Sequence, residues 1–333
     1  MVTDTRNRPL RDLRISVTDR CSFRCGYCMP REVYDDHEYL DRSSVLSYGE
    51  IRRITRLATD LGVRKVRLTG GEPLLRTKVH RLVEMISDLD EIEDLAMTTN
   101  ALLLGREAER LKEFGLDRVT VSLDALDDEL FRKMIDTDVP VSTVLDAIDI
   151  ASDVGLEPIK INTVVRRGWN EDQVIPLVER FRGTGHTVRF IEFMDVGTLN
   201  AWNVDEVVPS AELAAMIDKR WDVEPVQATY RGEVAAKYRF TDGAGEVGFI
   251  SSVSSPFCGD CTRLRLSAEG KIYTCLFGSD GTDLRTPLRS DASDDDIRGI
   301  IEQTWAQRDD RYSELRGGTP VGFPKVEMSY IGG

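Results

Sequence analysis

Short apolar stretches alternate with longer amphipathic stretches over the first two-thirds of the chain. In the short stretches apolar and polar residues alternate, which is typical of strands that bury one face. Six of them predict strands, at 13–17, 65–69, 94–98, 118–123, 159–164 and 188–193. The stretches between them have helical spacing and predict helices at 48–61, 78–89, 102–114, 141–154 and 171–181. Alternating strands and helices indicate parallel βα units, which close into a barrel or open into a doubly wound sheet.

The pattern changes after about residue 210. A helix is predicted at 211–219, short strands near 235–240 and 247–250, and a hairpin that pairs 263–267 with 271–275. An Asp-rich run at 290–296 is typical of a helix N-terminus and precedes a predicted helix at 297–305. We therefore expect a first domain at 1–220 and a smaller, partly antiparallel domain at 221–333.

The predicted strands carry basic residues on one face. Successive strand residues point to opposite faces. Lys65 and Arg67 therefore lie on one face, and Val66 and Leu68 lie on the other. In a βα barrel the helices cover the apolar face, and the basic face would line the lumen. Five cations would then point inward, namely Arg14, Lys65, Arg67, Lys160 and Arg189.

Like charges buried without a partner are costly, on the order of several kcal/mol per ion. The lumen is therefore predicted to bind a polyanion, most simply a triphosphate. The alternative interpretation is that the five cations lie at exposed strand ends and pair with some of the many carboxylates.

All six cysteines fall into two groups of three. The first trio, Cys21, Cys25 and Cys28, has the spacing C-x3-C-x2-C in a loop after the first predicted strand. A structural zinc site needs a fourth ligand, and the nearest histidine, His37, is nine residues away. A [4Fe–4S] cluster takes one thiolate per iron, so three cysteines would leave one iron open to a substrate or second cofactor. A coincidental group of buried cysteines is the alternative.

The second trio, Cys258, Cys261 and Cys275, has the spacing C-x2-C-x13-C. The predicted hairpin explains the long gap, because it returns the third cysteine to the side of the first two. Arg263 and Arg265 alternate on one face of the outgoing strand. A zinc site completed by an aspartate is possible, but a second cluster with an open iron is preferred.

Charge and hydropathy narrow the classes of function. The formal net charge of −14 argues against binding to nucleic acid or to an anionic membrane. The apolar runs are too short to span a bilayer, and the N-terminus lacks the apolar stretch of a signal peptide, so we expect a cytoplasmic protein. Arg outnumbers Lys by 35 to nine on this acidic chain, which suggests a halophilic source.

Several motifs together resemble a known family. The first trio, with Tyr27 before its last cysteine, resembles the signature of radical S-adenosylmethionine enzymes. Gly70-Gly71-Glu72-Pro73 resembles their methionine-amino-binding motif, in which Glu72 could accept from an ammonium group. The second trio, the Thr-Arg-Leu-Arg beside it and the terminal Gly-Gly resemble the GTP 3′,8-cyclases that begin molybdenum cofactor biosynthesis. The resemblance runs from about residue 10 to residue 333.

This resemblance implies an α/β fold, an incomplete (βα)6 TIM-type barrel with a small C-terminal domain that carries a second iron–sulfur cluster. The implied cofactors are two [4Fe–4S] clusters, held by the two trios, and S-adenosylmethionine on the open iron of the first cluster. The implied contacts to S-adenosylmethionine are Tyr27, Gly71, Ser122 and Met194. The implied contacts to GTP are Arg14, Lys65, Arg67, Thr98, Lys160, Arg189, Arg263, Leu264 and Arg265.

The implied reaction begins with cleavage of S-adenosylmethionine to a 5′-deoxyadenosyl radical, which takes a hydrogen from ribose C3′ of GTP. The C3′ radical then adds to guanine C8, and a second reduction closes the step to give (8S)-3′,8-cyclo-7,8-dihydroguanosine 5′-triphosphate. Arg14, Arg263, Arg265 and the tail residues Gly332 and Gly333 would support turnover. The implied partners are an electron donor and the cyclic pyranopterin monophosphate synthase that uses the product, with the enzyme a monomer or homodimer. Ala101 departs from the family, which usually has Gly there.

Two other functions fit parts of the pattern. A radical enzyme that modifies a peptide also carries C-terminal clusters, but would not need five lumenal cations. A zinc or iron–sulfur protein without catalysis, such as an electron carrier, would not cleave S-adenosylmethionine.

Overall fold

A computed structural model describes residues 1–316 and 325–332 of the chain. Its first part consists of six βα units. The strands are β1 Asp12–Ser16, β2 Lys65–Thr69, β3 Asp94–Thr99, β4 Arg118–Ser122, β5 Lys160–Val165 and β6 Thr187–Glu192. The helices are α1 Arg31–Tyr34, α2 Tyr48–Asp60, α3 Val79–Ser87, α4 Leu104–Glu113, α5 Asp128–Ile135, α6 Val141–Asp153, α7 Val174–Phe181 and α8 Ser210–Asp218. All six predicted strands are confirmed, with each end within one residue of the prediction.

The C-terminal part contains short strands and helices. The strands are β7 Val223–Val226, β8 Ala236–Phe240, β9 Glu246–Ile250, β10 Arg263–Leu266, β11 Lys271–Tyr273 and β12 Thr282–Asp283. The helices are α9 Arg285–Arg289, α10 Asp294–Ala306, α11 Tyr312–Leu315 and α12 Met328–Ile331. The hairpin and the helix after the Asp-rich run are confirmed, whereas α5 and β7 were not predicted.

One sheet joins both parts, in the order β12-β11-β10-β1-β2-β3-β4-β5-β6-β9-β8-β7. β10 pairs with β1 and β9 pairs with β6, both in parallel, so the C-terminal part extends both edges of the six-stranded sheet. The hairpin β10–β11 and the pairs β7–β8 and β8–β9 are antiparallel, as predicted for this part. The domain boundary at residue 220 falls within this continuous sheet and stays a prediction.

The apolar faces of the strands pack beneath the helices. Leu13 and Ile15 of β1 and Val66 and Leu68 of β2 are fully buried, and they alternate with polar residues that face the other way. Burying a Leu, Ile or Val side chain contributes roughly 1.5–3 kcal/mol, so these faces hold the helices on the sheet. None of the helices within 1–316 and 325–332 has the length and apolar character that crossing a membrane requires.

Helix α10 begins at a capping box. The Ser293 hydroxyl accepts from the Asp296 backbone N–H at 3.2 Å, and the Asp296 carboxylate accepts from the Ser293 backbone N–H at 3.0 Å. Asp294 and Asp295 add negative charge to the first turn, where the helix dipole favours it. The helix then places Trp305 in the core with no exposed surface.

Replacing the cap residue should destabilise α10. We expect Ser293→Ala to lower its local free energy of unfolding by about 1 kcal/mol, because the first turn loses a hydrogen-bond acceptor. Hydrogen exchange of the α10 amides measures this change. Ser290→Ala is the control, since that hydroxyl makes one exposed bond to the Pro287 carbonyl, at 3.3 Å. Equal exchange in the two variants would contradict the assigned cap.

Candidate active site

The register of the parallel strands brings basic residues of neighbouring strands side by side. Arg14 in β1 lies opposite Arg67 in β2 on one side and opposite Arg265 in β10 on the other. These side chains line a cavity of about 360 Å³, which we call the cation cavity. It is lined by all five cations predicted to face the lumen and by both hairpin arginines, namely Arg14, Lys65, Arg67, Lys160, Arg189, Arg263 and Arg265.

The cations of this cavity perturb one another. Burial, then the charges of Arg265, Arg263 and Arg67, lower the pKa of Arg14. Burial and the neighbouring charges of Arg189, Arg118, Arg67 and Lys65 lower the pKa of Lys160 to about 7. Guanidinium groups stay protonated at neutral pH, so the cavity keeps a positive charge that a bound anion would relieve.

Two residues near the cavity, Arg118 and Asp94, were not predicted from the sequence. Arg118 donates from Nε and Nη2 to the two carboxylate oxygens of Asp94, at 3.0 and 2.6 Å, and Lys65 Nζ lies 2.9 Å from the same carboxylate. Asp94 thus holds a lysine and an arginine together at the cavity wall. The alternation that revealed Lys65 and Arg67 also applies to Arg118, which shares a strand face with Ser122, and it could have identified this residue.

Several buried nitrogen atoms of the cavity lack a partner among the described residues, namely Nη1 of Arg118, Nε of Arg189 and Nε of Arg263. Arg67 is instead oriented by hydrogen bonds from Nη1 to the Thr98 and Thr120 hydroxyls, at 3.0 and 2.8 Å. Thr98 lines the cavity as expected. The side chain of Leu264 packs in the apolar core, on the opposite face of β10 from the two arginines.

The second trio lies at the end of the cavity near the amino ends of the strands. Cys261 comes two residues before β10, which runs parallel to β1, and Cys275 comes two residues after the antiparallel strand β11. All three cysteines of this trio line the cavity. Arg263 Nη2 donates to Cys261 Sγ at 3.4 Å. Burial acts to raise the pKa of Cys261, but the Arg263 and Arg308 charges outweigh it and lower the pKa to about 6.

The first trio lies at the other end of the strands, in the loop that follows the carboxyl end of β1. Cys21 Sγ accepts from the Phe23 backbone N–H at 3.5 Å and from Asn100 Nδ2 at 3.7 Å. Burial and the Glu72 carboxylate raise the pKa of Cys21 to about 11. Burial, then Asp124 and the two other thiols of the trio, raise the pKa of Cys25.

The residues expected to contact S-adenosylmethionine cluster at this carboxyl end. Tyr27 donates from its hydroxyl to the Asp124 carboxylate at 2.7 Å. Ser122 is the last residue of β4 and lies opposite Asn162 of β5, which lines the cation cavity. Met194 lines the cavity itself. Thus the cavity extends from the second trio toward the region of these side chains.

Glu72 holds the ends of two strands together. Its carboxylate is buried and accepts from the Leu74 backbone N–H at 3.0 Å, the Thr99 hydroxyl at 2.8 Å and the Asn100 backbone N–H at 2.7 Å. Burial outweighs these bonds and raises the pKa of Glu72 to about 7. The carboxylate that we expected to accept from an ammonium group is thus engaged with the chain itself.

The donor sets fit iron–sulfur clusters. All six cysteines are free thiols. Burial is the largest cause that raises the pKa of Cys25 and of Cys275, and the charge of neighbouring thiols in the same trio adds to it. Within residues 1–316 and 325–332, no three or more His, Cys, Asp or Glu side chains are arranged to hold a single metal ion. N–H donors that face the Cys21 and Cys261 sulfurs are the partners that cluster thiolates usually have.

Two family models match the chain in succession. The model of the Radical SAM superfamily matches residues 15–181, half of the chain, and that of Molybdenum Cofactor Synthesis C matches residues 186–314. A GTP 3′,8-cyclase of Acidothermus cellulolyticus is 49% identical and covers 100% of this chain and 99% of its own. One from Xanthomonas axonopodis pv. citri is 51% identical, over 99% of this chain and 98% of its own. This chain belongs to the GTP 3′,8-cyclase family.

A relative of the same name in Staphylococcus carnosus is 46% identical over 100% of this chain and 99% of its own. Among solved structures, Streptococcus suis SuiB bound to S-adenosylmethionine has a TM-score of 0.58 at 18% identity, covering 97% of this chain and 76% of its own. That likeness supports the fold. As a member of the GTP 3′,8-cyclase family, the chain is a radical S-adenosylmethionine enzyme that uses S-adenosylmethionine and an iron–sulfur cluster.

In this family member the C-terminal tail reaches the cation cavity. Arg265 donates from Nη1 to the Gly332 carbonyl, and a Cβ at Gly332 would meet the Thr69 side chain at 2.2 Å. Only glycine fits between these two residues, and its φ of +69° also favours glycine. Gly333 lies outside the described residues.

The backbone at Ala101 adopts a conformation that favours glycine. Ala101 has a φ of +65°, in the left-handed region where a Cβ is strained. Its backbone N–H donates to the Thr99 hydroxyl at 3.0 Å, which holds the residue in this conformation. The departure changes the turn and removes none of the side chains described above.

Gly71 sets how closely β2 approaches the first trio. A Cβ at Gly71 would meet the Arg20 carbonyl oxygen at 2.2 Å and the Cys21 backbone nitrogen at 3.1 Å. We expect Gly71→Ala to displace the cysteine loop and to lower the iron bound by the first trio severalfold, because backbone atoms cannot yield as a flexible side chain can. Iron analysis after anaerobic reconstitution checks this.

The matched control is Gly49→Ala, whose Cβ would meet one atom, the Ser47 hydroxyl, at 4.0 Å. It should bind as much iron as the unchanged protein. Full iron content in Gly71→Ala would show that the loop has room for a side chain.

Proposed function

We propose that this chain converts GTP to (8S)-3′,8-cyclo-7,8-dihydroguanosine 5′-triphosphate, with S-adenosylmethionine and two [4Fe–4S] clusters. The observation that carries the proposal is the cation cavity, which begins at one cysteine trio and extends toward the strand ends that bear the other. The full-length likeness to relatives named GTP 3′,8-cyclase supports the same assignment.

In this proposal the two trios have different tasks. The first trio would hold the cluster that binds S-adenosylmethionine, with Tyr27, Gly71, Ser122 and Met194 around that cofactor. The second trio would hold the cluster that faces the guanine, within the part 221–333. The first cluster, when bound, would supply the electron that cleaves S-adenosylmethionine. Loss of the hydrogen at ribose C3′ would then let this carbon bond to guanine C8, and a second electron, from the separate donor, and a proton would complete the product.

The chain itself would bind and orient GTP. The basic residues of the cavity, with Thr98, would hold the triphosphate, and their fixed positions on strands would limit the motion of the ribose and base. Such orientation contributes to catalysis because it removes the entropy cost of bringing the reacting atoms together. The strands and the C-terminal loops that line the cavity would limit the access of water to the reactive centre.

The unpartnered donors and the lowered pKa values are the physical support for an anionic substrate. A binding site for a neutral ligand would have no use for buried like charges, which destabilise the protein when no anion is present. The product would go to a cyclic pyranopterin monophosphate synthase, and a separate electron donor would reduce the clusters.

A reconstitution assay tests the assignment. We expect about eight iron and eight sulfide ions per chain, as two four-iron clusters require. Incubation with S-adenosylmethionine, GTP and dithionite should give 5′-deoxyadenosine in amounts that depend on GTP, because substrate supplies the hydrogen atom. Product analysis by mass spectrometry completes the measurement, with ATP as the control nucleotide. Zinc in the second trio would remove its proposed role, and a yield independent of GTP would refute the substrate.

Lys160 should take up a proton when GTP binds. Its pKa is about 7 in the free protein, and a bound triphosphate raises it because the charged form gains an anionic partner. At about pH 8, Lys160 is mostly neutral before binding and protonated after it, so up to about one proton is taken up. Affinity for GTP should therefore fall as the pH rises above 7.

Calorimetry in buffers of different ionisation enthalpy, without S-adenosylmethionine, measures the uptake. Lys160→Met is the matched variant and should bind GTP more weakly, with little proton uptake. Unchanged uptake in this variant would assign the proton to another group.

A further inference from the structure

A buried ionic cluster joins the N-terminal segment to the C-terminal part of the chain. Arg8 Nε lies 2.6 Å from the Asp4 carboxylate, and neither side chain has any exposed surface. Arg308 Nη1 lies 3.5 Å from the same carboxylate and its side chain is 1% exposed. We call Asp4, Arg8 and Arg308 the N-terminal clamp. Asp4 and Arg8 are four residues apart, whereas Arg308 follows Asp4 by 304 residues.

The two arginines of the clamp donate hydrogen bonds to backbone carbonyls of the second trio. Arg8 Nη1 donates to the Cys258 carbonyl at 2.8 Å and to the Asp310 carbonyl at 2.7 Å. Arg308 Nη1 donates to the Cys261 carbonyl at 2.8 Å. Two of the three cysteines are therefore held by guanidinium groups that share contact with the Asp4 carboxylate, and Arg308 also lies 3.4 Å from the Asp310 carboxylate.

The surroundings fix the arginines as well. Trp305 Nε1 donates to the Arg8 carbonyl at 3.1 Å, and the Arg308 guanidinium stacks over the Trp305 ring with 4.6 Å to its centroid. Asp4 also accepts from the Arg8 backbone N–H at 2.9 Å. These contacts hold both the charged groups of the clamp and the backbone of Arg8 in place.

Packing alone does not account for this arrangement. Apolar side chains of similar volume would usually be at least as stable as buried ions, since desolvation of the charges offsets their attraction. The segment Cys258–Asp260 is a single 3-10 turn, which leaves its carbonyl groups in need of fixed partners. A planar guanidinium supplies several donors in a fixed geometry, which a lysine cannot.

We propose that the N-terminal clamp consists of positioning residues that hold Cys258 and Cys261 where the second [4Fe–4S] cluster needs them. The inference rests on the proposed function, because it assumes that the second trio binds a cluster. The clamp acts through the cysteine backbone, and its two positive charges also offset the charge of the thiolates.

Arg8→Lys and Arg308→Lys test the clamp, because each keeps a positive charge and loses the planar set of donors. After reconstitution we expect a fall from about eight to about four iron ions per chain, with loss of the signal of one cluster in electron paramagnetic resonance. The first cluster should remain, and its cleavage of S-adenosylmethionine should persist without dependence on GTP.

Arg6→Ala is the matched control. Arg6 lies in the same segment and pairs with Asp309 at 2.5 Å, but this pair is exposed. It should keep both clusters. Asp4→Asn serves as a further variant if either arginine variant fails to fold, and it should give the same selective loss.

The outcomes separate the inference from the proposed function. Eight iron ions in all clamp variants, or equal loss of both clusters, would overturn the clamp as a positioning device. Only four iron ions in the unchanged protein would overturn the second cluster, and the clamp with it. Selective loss in the clamp variants, beside a normal Arg6→Ala, would support both.

Discussion

Repulsion among buried cations is the constraint on which the site depends. Parallel pairing sets Arg14 between Arg67 and Arg265, so the strand register fixes the backbone positions of all three arginines. The energy that holds these cations close together comes from the apolar faces of the same strands, where Leu13, Ile15 and their neighbours pack beneath the helices. The sheet is therefore stable in spite of the like charges on its polar face, and a bound anion would relieve their repulsion.

The Asp94 carboxylate reduces the repulsion between Arg118 and Lys65 but does not neutralise both charges. One carboxylate aligns Arg118 through two hydrogen bonds and lies near Lys65, while Nη1 of Arg118 stays unpartnered among the described atoms. A single anion shared between two cations fixes their geometry but leaves net positive charge for a ligand. Full neutralisation would make the site more stable and less able to bind.

Local sequence patterns predicted most of the strands and helices and part of the candidate site. Alternation located the six strands and the five inward cations because strand geometry has a strict period of two. It did not locate β7, whose short sequence contains Pro225 and pairs along one side, or the polar-rich helix α5. The contacts of Asp4 and Arg8 with the C-terminal part could not be predicted either. These partners lie about 250 to 300 residues away, and no local sequence pattern indicates such a contact. The pairing of the C-terminal strands with both edges of the sheet also depends on contacts between distant parts of the sequence, so local patterns could not predict it.

The pairing of β1 with β10 also sets the order of events as the chain is made. Strand β1 leaves the ribosome early, yet one of its neighbours, at residues 263–266, follows about 250 residues later. Contacts so distant in sequence form slowly, because a long loop must close before they stabilise anything. One edge of β1 can pair early with β2, but its other edge therefore stays unpaired until residues 263–266 have been synthesised. The second cysteine trio can become a finished site only after both Cys275 and Arg308 have been synthesised, although Arg8, which holds Cys258, is made at the start.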